Sequence, residues 1–302
     1  MTSTLVIGAS GFVGRHLARG LLAAGHGVRC LARTPAKIQD LSDAGCEVVQ
    51  GDMSDPASTL RAVDGVEAVY VAVHTLSPQP ASGTDQGFMD VESAAVRNIV
   101  EACRATGARR VIYLTSLNTD PEATSVWLRE RGRAERYLLD SGLDATVVQP
   151  GQIVGVGGTG FDMMVRQARS RVAIMMGVGD QKWRNIGIDD LVYYLVGILD
   201  DPRAFGRRFD VGCDDVLTND QMVDLAADVL GRPHPFKVHL PRSLMMAIAP
   251  SLEGVAKLPK GAFRGLIESM GADAIGDPTA IRAILPRPPL PYRQALERAL
   301  SR

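Results

Sequence analysis

Six short apolar segments, spaced by amphipathic ones, run through the first half of the chain, and this alternation constrains the fold more than any other feature. The segments are TLVIGA, GVRCLAR, CEVVQGD, VEAVYVAVH, RRVIYLTS and LDATVVQPG. Several are apolar at consecutive positions, which demands cover on both faces. Between them lie FVGRHLARGLLAAG, TPAKIQDLSDAG, DPASTLRAVDG, a long stretch over roughly 84–107, and residues 124–141, all with helical periodicity. Gly25 closes the first helix, Thr34 with Pro35 opens the second, and an Asp-Pro pair opens the third. Strand and helix in this order predict an α/β protein on a doubly wound parallel sheet with right-handed crossovers.

After Gly151 the rhythm changes. GQIVGVGGTG reads as a loop, followed by a helix near 159–170. DDLVYYLVGILDD reads as a helix, RRFDVGC as a strand, and TNDQMVDLAADVLG as a helix capped by Thr218. The proline-punctuated tail ends in the helix YRQALERALSR. The expected organisation is a dinucleotide-binding domain over 1–155, to which 184–213 returns. A smaller α/β lobe, from 156–183 and 214–302, would then cover the carboxyl ends of the strands.

The bulk charge excludes some partners. Among 302 residues, 33 Lys and Arg offset 34 Asp and Glu, so no global field draws nucleic acid or anionic membrane. The longest apolar runs, such as LVYYLVGIL, fall short of the roughly 18 residues that span a bilayer. The first residues enter a strand directly, without a basic leader, so a cytoplasmic location is expected. Cys30, Cys46, Cys103 and Cys213 are scattered and read as buried thiols in a reducing compartment. Neither they nor the five histidines have metal-ligand spacing, so no metal site is expected.

The chemistry is concentrated where strands end. Gly8, Ser10, Gly11, Phe12, Val13 and Gly14 join the first strand to the first helix. Glycine there lets the backbone approach a pyrophosphate and lets the helix pack close to the strand, while helix N–H groups face the anion. The second strand ends at Arg33, with Lys37 one helical turn on, where an NAD site would hold an acid for the ribose 2′-hydroxyl. Two cations suit a 2′-phosphate, so NADP(H) is expected over NAD(H). Asp52, after the third strand, is placed to accept from the adenine amino group or to cap the next helix. His74, after the fourth, is a candidate general acid or simply a polar loop residue.

In SVWLRERGRAERYLLDSG, helical geometry puts Arg129, Arg133, Arg136 and Asp140 on one side and Trp127, Arg131, Ala134 and Leu138 on the other. Three arginines therefore read as a solvated face. Arg131 shares the apolar stripe, where an unpaired charge would cost several kcal/mol, so it needs a cofactor, carboxylate or carbonyl partner, or else must snorkel to solvent.

Taken in order, VIGASGFVG, the GD after strand three, NIVEACRATGARRVIYLTS and SGLDATVVQPGQIVG resemble the extended and atypical short-chain dehydrogenase/reductases, nearest to their NAD(P)H-binding, NmrA-like branch. IGIDDLVYYLVGILDDP and FDVGCDDVLTNDQMVDLAADVLG also resemble that group, so the likeness spans about residues 3–231. It implies a Rossmann domain with the nicotinamide beneath the small lobe, and a cofactor set that adds Met53, Val73, Thr115, Arg131, Pro150 and Ile153. Active members carry a Ser after strand five and a Tyr-x-x-x-Lys pair on the next helix. Ser116 matches the Ser, but the Tyr slot holds Trp127, the Lys slot Arg131, and the usual Arg-Pro is Gln149-Pro150.

Indole cannot act as an acid or base near neutral pH, whereas a guanidinium can still bridge ribose hydroxyls. The implied function is an NADPH-dependent reductase of a small, apolar carbonyl, enone or quinone-like compound, with catalytic candidates Ser116, His74, Trp127 and Arg131. The alternative is an NADP(H)-binding regulator or assembly protein without turnover. Sugar-nucleotide epimerisation needs the missing tyrosine. Met163, Met164, Met175, Met176 and Trp183 would either roof an apolar pocket or fill core.

Overall fold

A computed structural model of the chain describes residues 1–73, 88–177, 179–256, 261–270 and 272–301. Its first half alternates as the sequence predicts: β1 (Ser3–Ile7), α1 (Phe12–Ala23), β2 (Gly27–Ala32), α2 (Gln39–Asp43), β3 (Glu47–Gln50), α3 (Pro56–Val63), β4 (Ala68–Val71), α4 (Phe88–Thr106), β5 (Arg110–Leu114), α5 (Val126–Leu139) and β6 (Asp144–Pro150). The second half adds β7 (Gln152–Val154), α6 (Thr159–Arg169), β8 (Val172–Met176), β9 (Lys182–Gly187), α7 (Ile188–Gly197), β10 (Arg207–Val211), β11 (Val216–Thr218), α8 (Asn219–Val229), β12 (Phe236–Leu240), α9 (Arg242–Ala256), α10 (Ala262–Ser269), α11 (Thr279–Ile284) and α12 (Tyr292–Leu300).

Seven strands form one sheet in the order β3-β2-β1-β4-β5-β6-β10, and every pairing in it is parallel. The strand order reverses between β1 and β4, the point where such sheets open a crevice at their carboxyl edge. Both faces are buried, and successive residues supply opposite layers. Leu5, Ile7, Val69, Val71, Val111 and Tyr113 join the layer under α3, α4 and α5. Val6, Tyr70 and Ile112 join the layer under α1 and α7. A third core, of Phe161, Met164, Met175, Met222, Ala226, Tyr292 and Leu296, binds α6, β8, α8 and α12 together.

Several local expectations hold in detail. Asp55 accepts from the Ala57 and Ser58 N–H groups to open α3, and Thr218 with Gln221 forms a reciprocal capping box on α8. Others are corrected. Thr34 makes no side-chain cap, and the segment it was to open is a 3₁₀ turn (Pro35–Ile38) followed by the short α2. GQIVGVGGTG is not all loop, because β7 pairs in parallel with β9. Strands β8, β9, β11 and β12 were not read from the sequence at all. They are three to six residues long and, but for Ile186, none reaches the sheet cores with an unbroken apolar run.

One buried charge organises the amino-terminal edge of the sheet. Arg110, at the start of β5, donates to the carbonyls of Ile198 and Leu199 just beyond α7, at 2.8 and 2.7 Å, and also to Asp144 O and Thr146 Oγ1. These bonds satisfy helix-end carbonyls that would otherwise be orphaned in the core. Burial lowers its pKa to about 10, and it stays charged at neutral pH.

Helix α5 lies against the loop that follows β5. A Cβ on Gly132 would sit 2.3 Å from the Asp120 carbonyl carbon and 2.5 Å from the Pro121 nitrogen. Because the obstacle is backbone, Gly132→Ala should lower stability by about 1–3 kcal/mol in chemical denaturation, although alanine is the better helix former. A neutral or stabilising change would mean that α5 does not pack so closely there.

Candidate cofactor and active site

The loop after β1 behaves as its glycines require. Gly8 has φ +94°, and a Cβ there would meet the Ala72 carbonyl oxygen at 2.4 Å, so the loop abuts the end of β4. The Gly11 N–H donates to Gly8 O, and a Cβ on Gly14 would lie 2.2 Å from that same oxygen. Gly11 is the N-cap of α1 and no side chain caps the helix. The first-turn N–H groups, from Phe12 and Val13 onward, therefore lack an intrahelical acceptor and face the crevice beside Ser10. This is the donor set a pyrophosphate needs. The Phe12 ring fits among Gly155, Gly157 and Gly158, and a Cβ on Gly155 or Gly158 would press on it, at 2.7 and 3.1 Å. That explains the second glycine cluster. It shapes the β7–α6 turn around Phe12, beside Ile153, which packs on the main core.

Arg33 and Lys37 are both exposed beyond β2. The Lys37 carbonyl is held by Arg15, whose guanidinium also pairs with Asp40, as does that of Arg19. Asp52 does not cap α3. Its Oδ1 accepts from the Ser54 N–H and hydroxyl, and Asp55 takes the capping role because it immediately precedes Pro56. The Met53 carbonyl accepts from Asn98 Nδ2 at 3.0 Å, which ties α4 to this loop. Asn98 was not singled out in the sequence.

Arg131 is the central finding. It is 1% exposed and does not snorkel. Its Nε donates to Glu92 Oε1 at 3.0 Å, one fork nitrogen reaches the Val73 carbonyl at 3.5 Å, and the guanidinium lies 5.4 Å from the Trp127 ring centroid. Tyr113, fully buried on β5, donates its hydroxyl to the same Glu92 oxygen. Burial alone would lower the Arg131 pKa, but the Glu92 carboxylate, aided by Tyr113, outweighs it and holds the cation above its ordinary value. Burial, then the Glu92 charge, push the Tyr113 pKa well up. On α5, Arg133 and Arg136 are exposed as expected, while Arg129 is half-buried with its guanidinium on the Ala123 and Thr124 carbonyls. Glu92 was missed, yet it lies four, seven and eleven residues before the buried Val96, Ile99 and Cys103. An acid on that stripe matched the arginine on the other.

Around the end of β5, Thr115 is buried and its N–H donates to Val148 O. The Ser116 hydroxyl is buried with no partner among the described residues. Such an atom normally finds a ligand or water. Pro150, at the end of β6, accepts from the Leu117 N–H. Gln149 donates to both oxygens of the buried Glu135, at 3.0 and 2.9 Å, and Thr119 also donates to it. Arg208 of β10 approaches Glu135 to 3.7 Å, putting a cation near the place that Gln149 leaves neutral. Burial still dominates and raises the Glu135 pKa. His74 lies outside the described residues.

The methionine roof resolves mainly to packing. Met164 and Met175 are buried in the third core with Trp183 against it, Met176 packs against α9 and α10, and Met163 is exposed. Two hollows flank the loop after β5. One of about 520 Å³ is lined by Asp120, Glu122, Thr124, Ser125, Arg242 and Glu268, among others. The other, of about 230 Å³, adjoins Thr119, Gln149 and Arg208. Both are lined mainly by polar side chains, unlike the apolar pocket the methionines suggested.

A doubly wound parallel sheet with a bare glycine turn at its switch point defines a dinucleotide-binding α/β protein. The sequence pattern of the NAD(P)H-binding family matches residues 8–173, more than half of the chain, and the protein belongs to that family. It is 29% identical over 293 residues to a (4-alkanoyl-5-oxo-2,5-dihydrofuran-3-yl)methyl phosphate reductase of Streptomyces griseus, covering 96% of this chain and 95% of that protein. It is 31% identical over 145 residues to photosystem II assembly factor Ycf39 of Cyanophora paradoxa, covering 48% of this chain and only 44% of that protein's length. The fold matches an NADPH-dependent quinone oxidoreductase of Escherichia coli solved with NADPH, with TM-score 0.75, 20% identity, and 98% and 99% of the two chains covered. Among the described residues no helix is long and apolar enough to cross a membrane, and no group of His, Cys, Asp and Glu could hold a metal ion. The four cysteines are free and buried.

Two outcomes check the buried charges. Glu92→Gln should cost about 3–5 kcal/mol in chemical denaturation, because Arg131 is left buried without its counter-charge. Glu92→Leu with Arg131→Met should cost less than either single change, since no buried charge remains. For Glu135 the folded pKa lies above the unfolded one. Its contribution is therefore full below the ordinary glutamate range and is lost as pH rises from there through the folded value. Denaturation across that range should show this loss in the wild type, and Glu135→Gln should flatten it.

Proposed function

We propose that the chain is an NADPH-dependent oxidoreductase acting on a small, largely apolar carbonyl, enone or quinone-like compound. The observation that carries this reading is Arg131: a cation held rigidly by Glu92 at the lysine position of related reductases, directed at the carboxyl edge of β4. A bound NADPH would supply the hydride. The α1 N-terminus would hold the pyrophosphate, with Gly8, Ser10, Gly11, Phe12, Val13 and Gly14 around it. Arg33 and Lys37 would meet the 2′-phosphate, and Asp52 with its free Oδ2 lone pairs would accept from the adenine. Met53, Val73, Thr115, Pro150 and Ile153 would line the cofactor along the strand ends. The free fork of Arg131 would bridge the nicotinamide ribose hydroxyls.

The Ser116 hydroxyl, buried without a protein partner, is suited to donate to a substrate oxygen as negative charge develops there. Trp127 supplies shape and a stacking surface, not a proton. The proton must then come from water or from His74, which suits acceptors whose reduced oxygen is stabilised by conjugation, such as quinones and enones. The extents proposed for the two lobes are those read from the sequence, with the smaller one over this edge of the sheet.

A second reading is that the chain binds NADP(H) without turning it over. The indole at the tyrosine position favours it, as does the partial likeness to an assembly factor.

Titration by NADPH and NADH fluorescence, followed by absorbance at the nicotinamide band with a panel of quinones, enones and aldehydes, separates these readings. Oxidoreductase function predicts tighter NADPH binding, by roughly ten- to a hundredfold for two charge-assisted contacts, and turnover of at least one acceptor. Arg33→Asp should erase the preference, and Arg131→Met should weaken both cofactors. Tight binding with no turnover on any acceptor would support the second reading, and equal affinity for NADH would refute the phosphate assignment.

A further inference from the structure

Strands β8 and β12 form a two-stranded parallel ribbon at the surface, with Val172 beside Phe236 and Ile174 beside Val238. Its inner face is accounted for. Ala173 and Met175 enter the third core, while Lys237 and His239 pair with Asp224 and Asp220 of α8. The far end of the outer face is covered too, because Met176 and Leu240 pack against Met245, Ala249 and Ile267. The rest of that face is bare. Phe236 is 73% exposed, Ile174 55%, Val172 48% and Val238 38%, and Leu244 at the start of α9 is 46% exposed. Isolated exposed apolar residues are ordinary, but four on one face of one ribbon form a patch.

Three unpaired cations lie at its bare end, with Asp228 beyond them engaged by His234. Arg169, Arg171, Arg232 and Arg242 are exposed, and none pairs with a described carboxylate. Arg232 donates to the Arg169 carbonyl at 3.1 Å, which gathers Arg169, Arg171 and Arg232 at the end of the ribbon where Val172 and Phe236 begin, whereas Arg242 follows the opposite end and lines the hollow with Asp120, Glu122 and Glu268. Neither strand, nor the three residues on either side of each, contains an Asp or Glu. A second copy brings the same arginines and no carboxylate on either strand to meet them, so this face is not complementary in charge to itself. Apolar side chains edged by unpaired arginines are the complement of a lipid interface with anionic headgroups.

We propose that the β8–β12 face docks this protein on the surface of an anionic bilayer, with Phe236 and Ile174 entering the headgroup–acyl boundary and the arginines meeting the phosphates. Nothing in this depends on the cofactor assignment, since none of the residues invoked is placed in that site.

The test is cosedimentation of the full chain with vesicles of phosphatidylcholine alone and of equal parts phosphatidylcholine and phosphatidylglycerol. Binding should favour the mixed vesicles and weaken as salt is added. Arg171→Gln with Arg232→Gln should reduce it roughly fivefold for each charge removed. Phe236→Ser with Ile174→Ser should reduce it at least about tenfold. All these side chains are exposed, so melting curves of the variants should match the wild type, which makes lost binding a surface effect. Sedimentation with neither vesicle would overturn the proposal, as would binding insensitive to both pairs of substitutions. A concentration-dependent dimer abolished by the Phe236 and Ile174 changes would reassign the face to self-association.

Discussion

The buried guanidinium of Arg131 is the constraint around which the site is arranged. A cation removed from water must be matched in place, and here four secondary-structure elements meet to do it. Helix α5 carries the arginine, α4 supplies the Glu92 carboxylate, β5 supplies the Tyr113 hydroxyl, and the end of β4 offers the Val73 carbonyl. Because breaking a buried pair leaves an uncompensated charge, this set fixes the rotation of α5 against α4 and the sheet.

Buried polar groups recur as the joints of this fold. Arg110 closes the end of α7 onto the sheet, and the half-buried Arg184 binds the carbonyls of Cys213 and Ile275 where the later segments cross. Glu135, Thr119 and Gln149 form a third joint beneath the loop carrying Ser116. Each arginine satisfies several carbonyls that no strand or helix partner reaches, so the cost of its burial is offset by bonds that also specify one arrangement. Near the cleft, the Ser116 hydroxyl is buried without a hydrogen-bond partner among the described residues.

Much of the fold was legible because it rests on local rules. Short apolar runs and helical periodicity located the strands and helices of the first half, and Asp55 and Thr218 capped their helices as their chemistry requires. Gly8 and Gly14 sit where backbone contact excludes any side chain. The site was legible in part. The helical phase of residues 125–142 separated Arg131 from its exposed neighbours and required that it have a partner. Glu92 escaped notice because its pairing joins positions 39 residues apart, a separation at which periodicity carries no information. Asp52 was misread as a possible cap because the competition between it and Asp55 depends on where the helix begins. The short strands of the second half escaped for another reason. Each is short, and the strands that complete them lie far off in the chain, β8 pairing with β12 and β9 with β7 and β11.

From its own letters the chain specified a parallel α/β sheet, an anion-ready glycine turn and an arginine turned inward at the lysine position, because backbone geometry and side-chain spacing act within a few residues. It could not specify which carboxylate meets that arginine, which hydroxyl is left unmatched at the cleft, or which apolar ribbon faces outward. Those outcomes follow from long-range packing, where a group's neighbours, and hence its charge state and exposure, are decided by elements brought together only when the sheet and the later segments assemble.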